Sequence, residues 1–198
     1  MEENLEKRKK QLHEINRYKD NAFPVGMYMV TREGIIPEGR GFRDLHWHEE
    51  LQLTYLLSGS ANVQVNGEEY HLEEDEAIFI NKNMLHMISD LSEDGKYISF
   101  NFKDRMLCFF AGSRMEQEDV LPYTSQYAFP SIVFHKRAGW EGVVRSYINK
   151  LYHIFLNDGP ALKRRNYRVS IILSEIWYRI INNLDEDELT SSRGSVRS

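Results

Sequence analysis

This sequence predicts a mostly β chain with a C-terminal α segment: an antiparallel β-barrel of the jelly-roll kind, followed by an antiparallel helix pair. Three observations carry that. Between residues 23 and 102, short runs of strand-forming residues, several with a clear two-residue alternation, are broken by Gly, Pro, Asn and Ser, as strands joined by tight turns would be. Six or more such runs at close spacing describe an antiparallel barrel or sandwich. After residue 138 the period becomes helical, in two stretches divided by Asn157-Asp158-Gly159-Pro160, a strong stop.

In chain order, residues 1–22 read as an N-terminal helical arm, with Leu5, Leu12, Ile15 and Tyr18 as a thin apolar stripe among charges. Residues 23–135 read as the barrel. Its strands are expected over 23–30, 51–57, 61–65, 68–72, 77–81, 84–88 and 97–102. Asn66-Gly67 supplies the two-residue turn that hairpins prefer. In the last strand Ile98, Phe100 and Phe102 share one side. The stretch 103–135 is mixed, with a short apolar run at 106–111 and another, Ile132 to Phe134, near its end.

Residues 136–184 form a two-helix segment. Val144, Ile148, Leu151 and Phe155 make one stripe, and Val169, Leu173, Ile176 and Ile180 make a seam with Trp177 beside it. That second stripe is wider than one contact surface needs. The expectation is a homodimer through the C-terminal helices, with Val169, Leu173, Ile176, Trp177 and Ile180 at the interface. The bland alternative is a helix buried in its own domain. Residues 185–198 are polar and Ser-rich, as linkers are.

Composition excludes several classes. Lys and Arg number 25 against 30 Asp and Glu, a net charge of −5 over 198 residues, the opposite of a phosphate-gripping surface. Cys108 is the single cysteine, so neither an internal disulfide nor a Cys-based zinc site is available. The first twelve residues are charged where a signal peptide needs an apolar core, and no apolar run approaches a membrane span. The expectation is a cytoplasmic chain without a membrane partner. No glycine loop has phosphate-cradling spacing, and Ser58-Gly59-Ser60 is not a nucleophile elbow.

The chemistry concentrates in HWHEELQL, residues 46–53. Residues two apart on a strand face the same way, so His46, His48 and Gln52 would project into one cavity, with His86 closing the set from a later hairpin. Tyr55 is expected to add an aromatic wall. By the same parity Trp47 opposes its neighbouring histidines, and packing is its expected role. Imidazole is the commonest ligand for zinc, iron, copper and nickel. As a metal set, however, His46, His48, Gln52 and His86 carry no negative charge. No cofactor is therefore expected, with a divalent metal as the alternative.

His46-x-His48, Gln52 and Gly59 resemble the first motif of cupin barrels, which has Glu where this chain has Gln52. The second motif is matched loosely by residues 66–86, where Glu73, Glu74 and Asp75 replace the usual Pro-x-Gly. More closely, the stretch from His46 to His86 resembles the N-terminal sensing domain of AraC/XylS-family transcription regulators, a likeness covering about residues 23–102. That resemblance implies a cupin-like barrel around a small-molecule effector and self-association through the helices. It also implies a separate C-terminal domain that reads DNA, which these residues lack.

The function expected is thus ligand sensing and dimerisation for a transcription regulator. His46, His48, Gln52, Tyr55 and His86 would bind a small polar metabolite, a sugar among the candidates, and no residue is assigned a catalytic role. The alternative is a small metal-dependent cupin enzyme, an isomerase or oxygenase. A plain carbohydrate-binding module ranks third.

Overall fold

The computed structural model describes residues 11–125, 129–157 and 164–184. The expected linker 185–198, the first ten residues of the arm and most of the stop after Asn157 lie outside them.

Nine strands form two antiparallel sheets. They are β1 (Val25–Thr31), β2 (Ile35–Ile36), β3 (Leu51–Ser58), β4 (Ser60–Val65), β5 (Glu68–Glu73), β6 (Ala77–Ile80), β7 (His86–Leu91), β8 (Lys96–Phe102) and β9 (Ser131–Phe134). The larger sheet has the order β2-β1-β8-β3-β6-β9 and the smaller β5-β4-β7. The result is a jelly-roll-like sandwich of two separate sheets rather than a closed barrel. Two turns show why their residues were chosen. Asn66 and Gly67 both have positive φ, 50° and 91°, as a type I′ hairpin requires. Gly59 has φ +73°, and a Cβ there would lie 2.1 Å from Ser92 Oγ, so only glycine fits.

Two helices follow, α1 (Trp140–Leu156) and α2 (Arg165–Asn182). They cover one face of the larger sheet. Leu51, Leu53, Phe79, Ile98, Phe100 and Phe102 meet Val144, Ile148 and Leu151 of α1 and Val169, Leu173 and Ile176 of α2 in one apolar layer. A second layer lies between the sheets, where Val30, Leu56, Val63, Leu72, Ile78 and Ile80 pack. The larger sheet is therefore buried on both faces, which is why all four residues of β6 are buried. A polar tie fixes α1 to the turn before β6: Arg145 Nη1 donates to Asp75 Oδ2 and to the Asp75 carbonyl, the latter at 3.0 Å.

Two expectations are corrected. Val169, Leu173, Ile176, Trp177 and Ile180 are all at most 5% exposed within the single chain. They pack on the chain's own sheet, so the width of the stripe reflects a helix seated deeply in its own domain. The solvent face of α2 instead carries Tyr167, Ile171 and Tyr178, 72%, 52% and 57% exposed. Second, the arm is not helical past Leu12. His13 bridges to Trp47 and the Glu14 amide donates to the Trp47 carbonyl at 2.9 Å, so pairing with the barrel replaces helix there, and residues 14–18 are irregular. In the mixed stretch, short helical turns occupy Asp104–Leu107 and Met115–Thr124, and the Ile132 to Phe134 run becomes part of β9, paired with β6 through Ala77 to Ile80.

Candidate functional site: a histidine chamber closed by the arm

The inner face of the larger sheet changes character across its strands. On the β6 side of β3, Ile80 and Ile78 stand opposite Gln52 and Thr54 and are apolar. On the other side, β8 places Asn101 opposite Gln52 and Ser99 opposite Thr54, all buried. Alternation decides this: Leu51, Leu53 and Tyr55 face the helices, while Gln52 and Thr54 face the interior. Tyr55 therefore does not join the pocket expected for it. It belongs to the helix-facing layer, and its hydroxyl donates to Asp75 Oδ1 at 2.6 Å.

His46, His48 and His86 converge on this polar side. His46 and His48 lie in an extended segment ahead of β3, and His46 forms a backbone bridge with His86 at the start of β7. The Asn83 amide donates to the His48 carbonyl at 2.8 Å, binding the same two segments again. Ring centroids are 4.4 Å apart for His46 and His86, 5.0 Å for His48 and His86, and 5.8 Å for His46 and His48. All three side chains are buried. Gln52 joins them, with its Oε1 3.0 Å from His48 Nε2 and its Nε2 donating to Thr54 Oγ1 at 2.8 Å. Trp47 points away and stacks on the His13 ring at 4.1 Å.

Each imidazole is held the same way. His46 Nδ1 lies 2.6 Å from the Asp44 carbonyl, His48 Nδ1 3.1 Å from the Glu50 carbonyl and His86 Nδ1 2.9 Å from the Met84 carbonyl. A carbonyl can only accept, so in His46 and His86 Nδ1 carries the proton and the neutral ring turns its Nε2 lone pair inward. His48 meets an acceptor at each nitrogen, the Glu50 carbonyl and Gln52 Oε1, and presents an Nε2 lone pair only when the Gln52 amide is turned to donate. Burial pushes all three imidazoles below their usual range, His86 furthest, which keeps them neutral. His86 Nε2 is buried without a hydrogen-bond partner. A buried acceptor left unpaired costs ~1–3 kcal/mol, and a bound group would satisfy it.

Sequence reasoning missed Glu14. The arm crosses the mouth of the chamber and brings Glu14 Oε2 to 3.3 Å from His46 Nε2, where the carboxylate is 10% exposed. Its other oxygen accepts the Arg40 amide at 2.8 Å. Burial raises the Glu14 carboxyl above its usual range, against the Arg40 hydrogen bond and the field of His48. Asn16 follows it inward: its Nδ2 donates to Glu50 Oε2 at 2.9 Å, and its Oδ1 accepts from Tyr28 and Asn101. Glu50 is committed elsewhere, ion-paired to Lys103 at 2.8 Å. With the arm in place, the chamber leaves about 20 Å³ for the centre of a water-sized sphere, space for about one water or one ion.

The three rings are close enough for one ion to reach them all. Three neutral imidazoles with carbonyls at Nδ1 suit a borderline transition metal such as zinc, iron or nickel. These residues fit such an ion, which would supply Lewis-acid character or a structural cross-link.

Residues 33–99 match the family model of the cupin domain, a span holding all three histidines and Gln52 but not Glu14. Over 189 residues, 91% of this chain, the sequence is 25% identical to YdeC, an uncharacterized HTH-type transcriptional regulator of Bacillus subtilis strain 168. The chain spans 61% of that relative's length. Among solved structures, apo ToxT K231A from Vibrio cholerae strain SCE256 aligns over 87% of this chain and 59% of its own, with TM-score 0.47 and 11% identity. The AraC-like transcriptional activator CuxR aligns over 78% and 48%, with TM-score 0.38 and 10% identity. A Bacillus subtilis oxalate decarboxylase aligns over 41% and 22%, with TM-score 0.32 and 19% identity.

Proposed function

We propose that this chain is the effector-sensing part of a transcription regulator, with the histidine chamber as its effector site. One observation carries the reading. The chamber is a buried, polar, incompletely satisfied cavity closed by an arm that rests on it mainly through hydrogen bonds. An effector that binds one arm position better than another shifts the population by that difference in affinity. The regulatory assignment draws on the similarity to YdeC along 91% of the chain. DNA recognition and the choice of target genes would belong to residues outside this chain, and the regulator would act in the cytoplasm. No helix among the described residues is long and apolar enough to cross a membrane.

The effector is a small polar molecule or an ion. A sugar-sized metabolite exceeds the space left with the arm docked. It would enter by displacing Glu14 and Asn16, hydrogen-bonding to Gln52, His46 and His86 in their place. Homodimerisation is assigned to the C-terminal helices through Tyr167, Ile171 and Tyr178, not through the buried seam. Sedimentation of wild type against Tyr178→Ser tests that part, which fails if both sediment as monomers.

A metal-dependent enzyme is the second reading, favoured by the three convergent imidazoles. It predicts an occupied metal site open to substrate from the arm side. The experiment is a thermal-shift screen of polar metabolites and divalent ions, repeated on His86→Ala. The sensing reading expects a stabilising compound whose effect vanishes in the variant. It fails if no compound shifts the melting temperature of the wild type, or if every shift survives in His86→Ala.

A further inference from the structure

We propose that Glu14 of the N-terminal arm is the carboxylate ligand of a divalent transition-metal site whose other ligands are His46, His48 and His86, so that ion binding and arm docking are one equilibrium. The proposal rests on the chamber being the effector site and names the effector's class. It differs from the cupin pattern described above, in which the carboxylate comes from the barrel itself. Here Gln52 holds that place, and the negative charge arrives from a separate segment of chain.

Four observations support it. First, His46 Nε2 and Glu14 Oε2 lie 3.3 Å apart, although the Asp44 carbonyl already holds the ring proton on Nδ1. Two acceptors face each other there, a repulsive arrangement unless a proton or a cation sits between them. Second, His86 Nε2 is buried and unpartnered a few ångströms away. Third, the other buried carboxylate beside the rings, Glu50, is taken by Lys103 and Asn16, which leaves Glu14 to balance a divalent charge. Its Oε1 is held by the Arg40 amide, so Oε2 is free to ligate through one oxygen. Fourth, the remaining volume of about 20 Å³, lined by Glu14, His46, Gln52 and His86 with His48 behind them, suits an ion and excludes larger organic ligands while the arm is docked.

The coupling follows from how the arm is held. Its anchors are polar and ring contacts: the backbone bonds at Trp47, Arg40 on Glu14 and on the Gln11 carbonyl, the Asn16 bonds to Glu50, Tyr28 and Asn101, and the His13–Trp47 stack, while Ile15 points to solvent at 77% exposure. A segment with so little buried apolar area opens easily. A ligand bond made only in the docked position then shifts the arm by the whole of its contribution.

The test titrates Zn²⁺ and Co²⁺ into chelator-stripped protein, reading affinity by calorimetry, the Co²⁺ visible spectrum, and hydrogen exchange of amides 12–18. The expected result for wild type is one ion per chain and exchange slowed at least about ten-fold over those amides. Glu14→Gln should bind at least about ten-fold more weakly, the scale of losing a metal-site contact, and should lose the slowing. Glu14→Gln combined with Gln52→Glu should regain affinity through the barrel while the arm stays fast. Melting curves of the ion-free variants separate these effects from misfolding. An ion bound equally well by Glu14→Gln, or arm exchange that ignores the ion, overturns the proposal. Absence of any ion in wild type also overturns it, and a metabolite found in the thermal-shift screen would then leave the sensing reading standing.

Discussion

The two faces of the larger sheet are built from alternate residues of the same strands, yet they obey opposite rules. Toward the helices β3 offers Leu51 and Leu53, and β8 offers Phe100 and Phe102, all closely packed with their polar backbone paired. Toward the chamber the same strands offer Gln52, Thr54, Ser99 and Asn101, with His86 Nε2 and Asn101 Oδ1 buried and unpartnered. The helix face is optimised for folding. The chamber face holds polar groups that the apolar packing has to carry, the usual sign of a surface kept for binding.

That contrast can be broken by experiment. Phe79 is fully buried in the helix-facing layer beside Trp177 and Phe129, so Phe79→Ala should cost ~3–5 kcal/mol in urea unfolding. A loss under about 1 kcal/mol would mean the layer is loosely packed. Arg145→Met leaves Asp75 with the Tyr55 hydroxyl but without its cation, and cuts the tie between α1 and the β6 turn. Because the Asp75 side chain is 40% exposed, about 2 kcal/mol is expected rather than the full cost of breaking a buried pair. In the chamber, His86→Leu removes an unsatisfied nitrogen along with one bond to the Met84 carbonyl. Stability should stay within ~1 kcal/mol of wild type while ligand binding is lost; a cost like that of Phe79→Ala would erase the distinction between the faces.

Ion-free protein should also show the contrast in its pH dependence. The three imidazoles are depressed by burial in the fold, from 6.5. The unfolded chain therefore takes up protons first, and stability falls as pH drops below about 6.5. Glu14, raised by burial from 4.5, works in the opposite sense: its contribution is present at low pH and lost as pH rises through its folded value. Three groups oppose one, so the urea midpoint should fall between pH 7.5 and pH 5.5. A flat profile would show that the histidines are not dry.

Most of this was legible in the sequence wherever a local period carried the information. The spacing of His46, His48 and Gln52 and the later His86 identified the chamber residues, and Asn66-Gly67 identified the hairpin. Tyr55 went astray although parity alone places it opposite Gln52 and Thr54, three and one residues away. The α2 seam was misassigned because a helix buried between its own layers and one facing a partner leave the same stripe. Glu14 had no local signal, being brought in by tertiary contacts of an arm whose charge pattern reads as helix. Its one trace was a deficit: a histidine set without a carboxylate invites a search for one elsewhere in the chain.

Residues 52 to 55 alternate between the two layers, so the chamber and the helix layer are separated by the thickness of a single strand. Under the proposed sensing reading, a shift of Gln52 on loading the chamber would pass to Leu53, whose neighbours across the layer are the side chains of α1 and α2. No relay of intermediate residues would be needed. The sheet would then act as a drumhead between the chamber on one side and the helices on the other, with Arg145 clamping its rim.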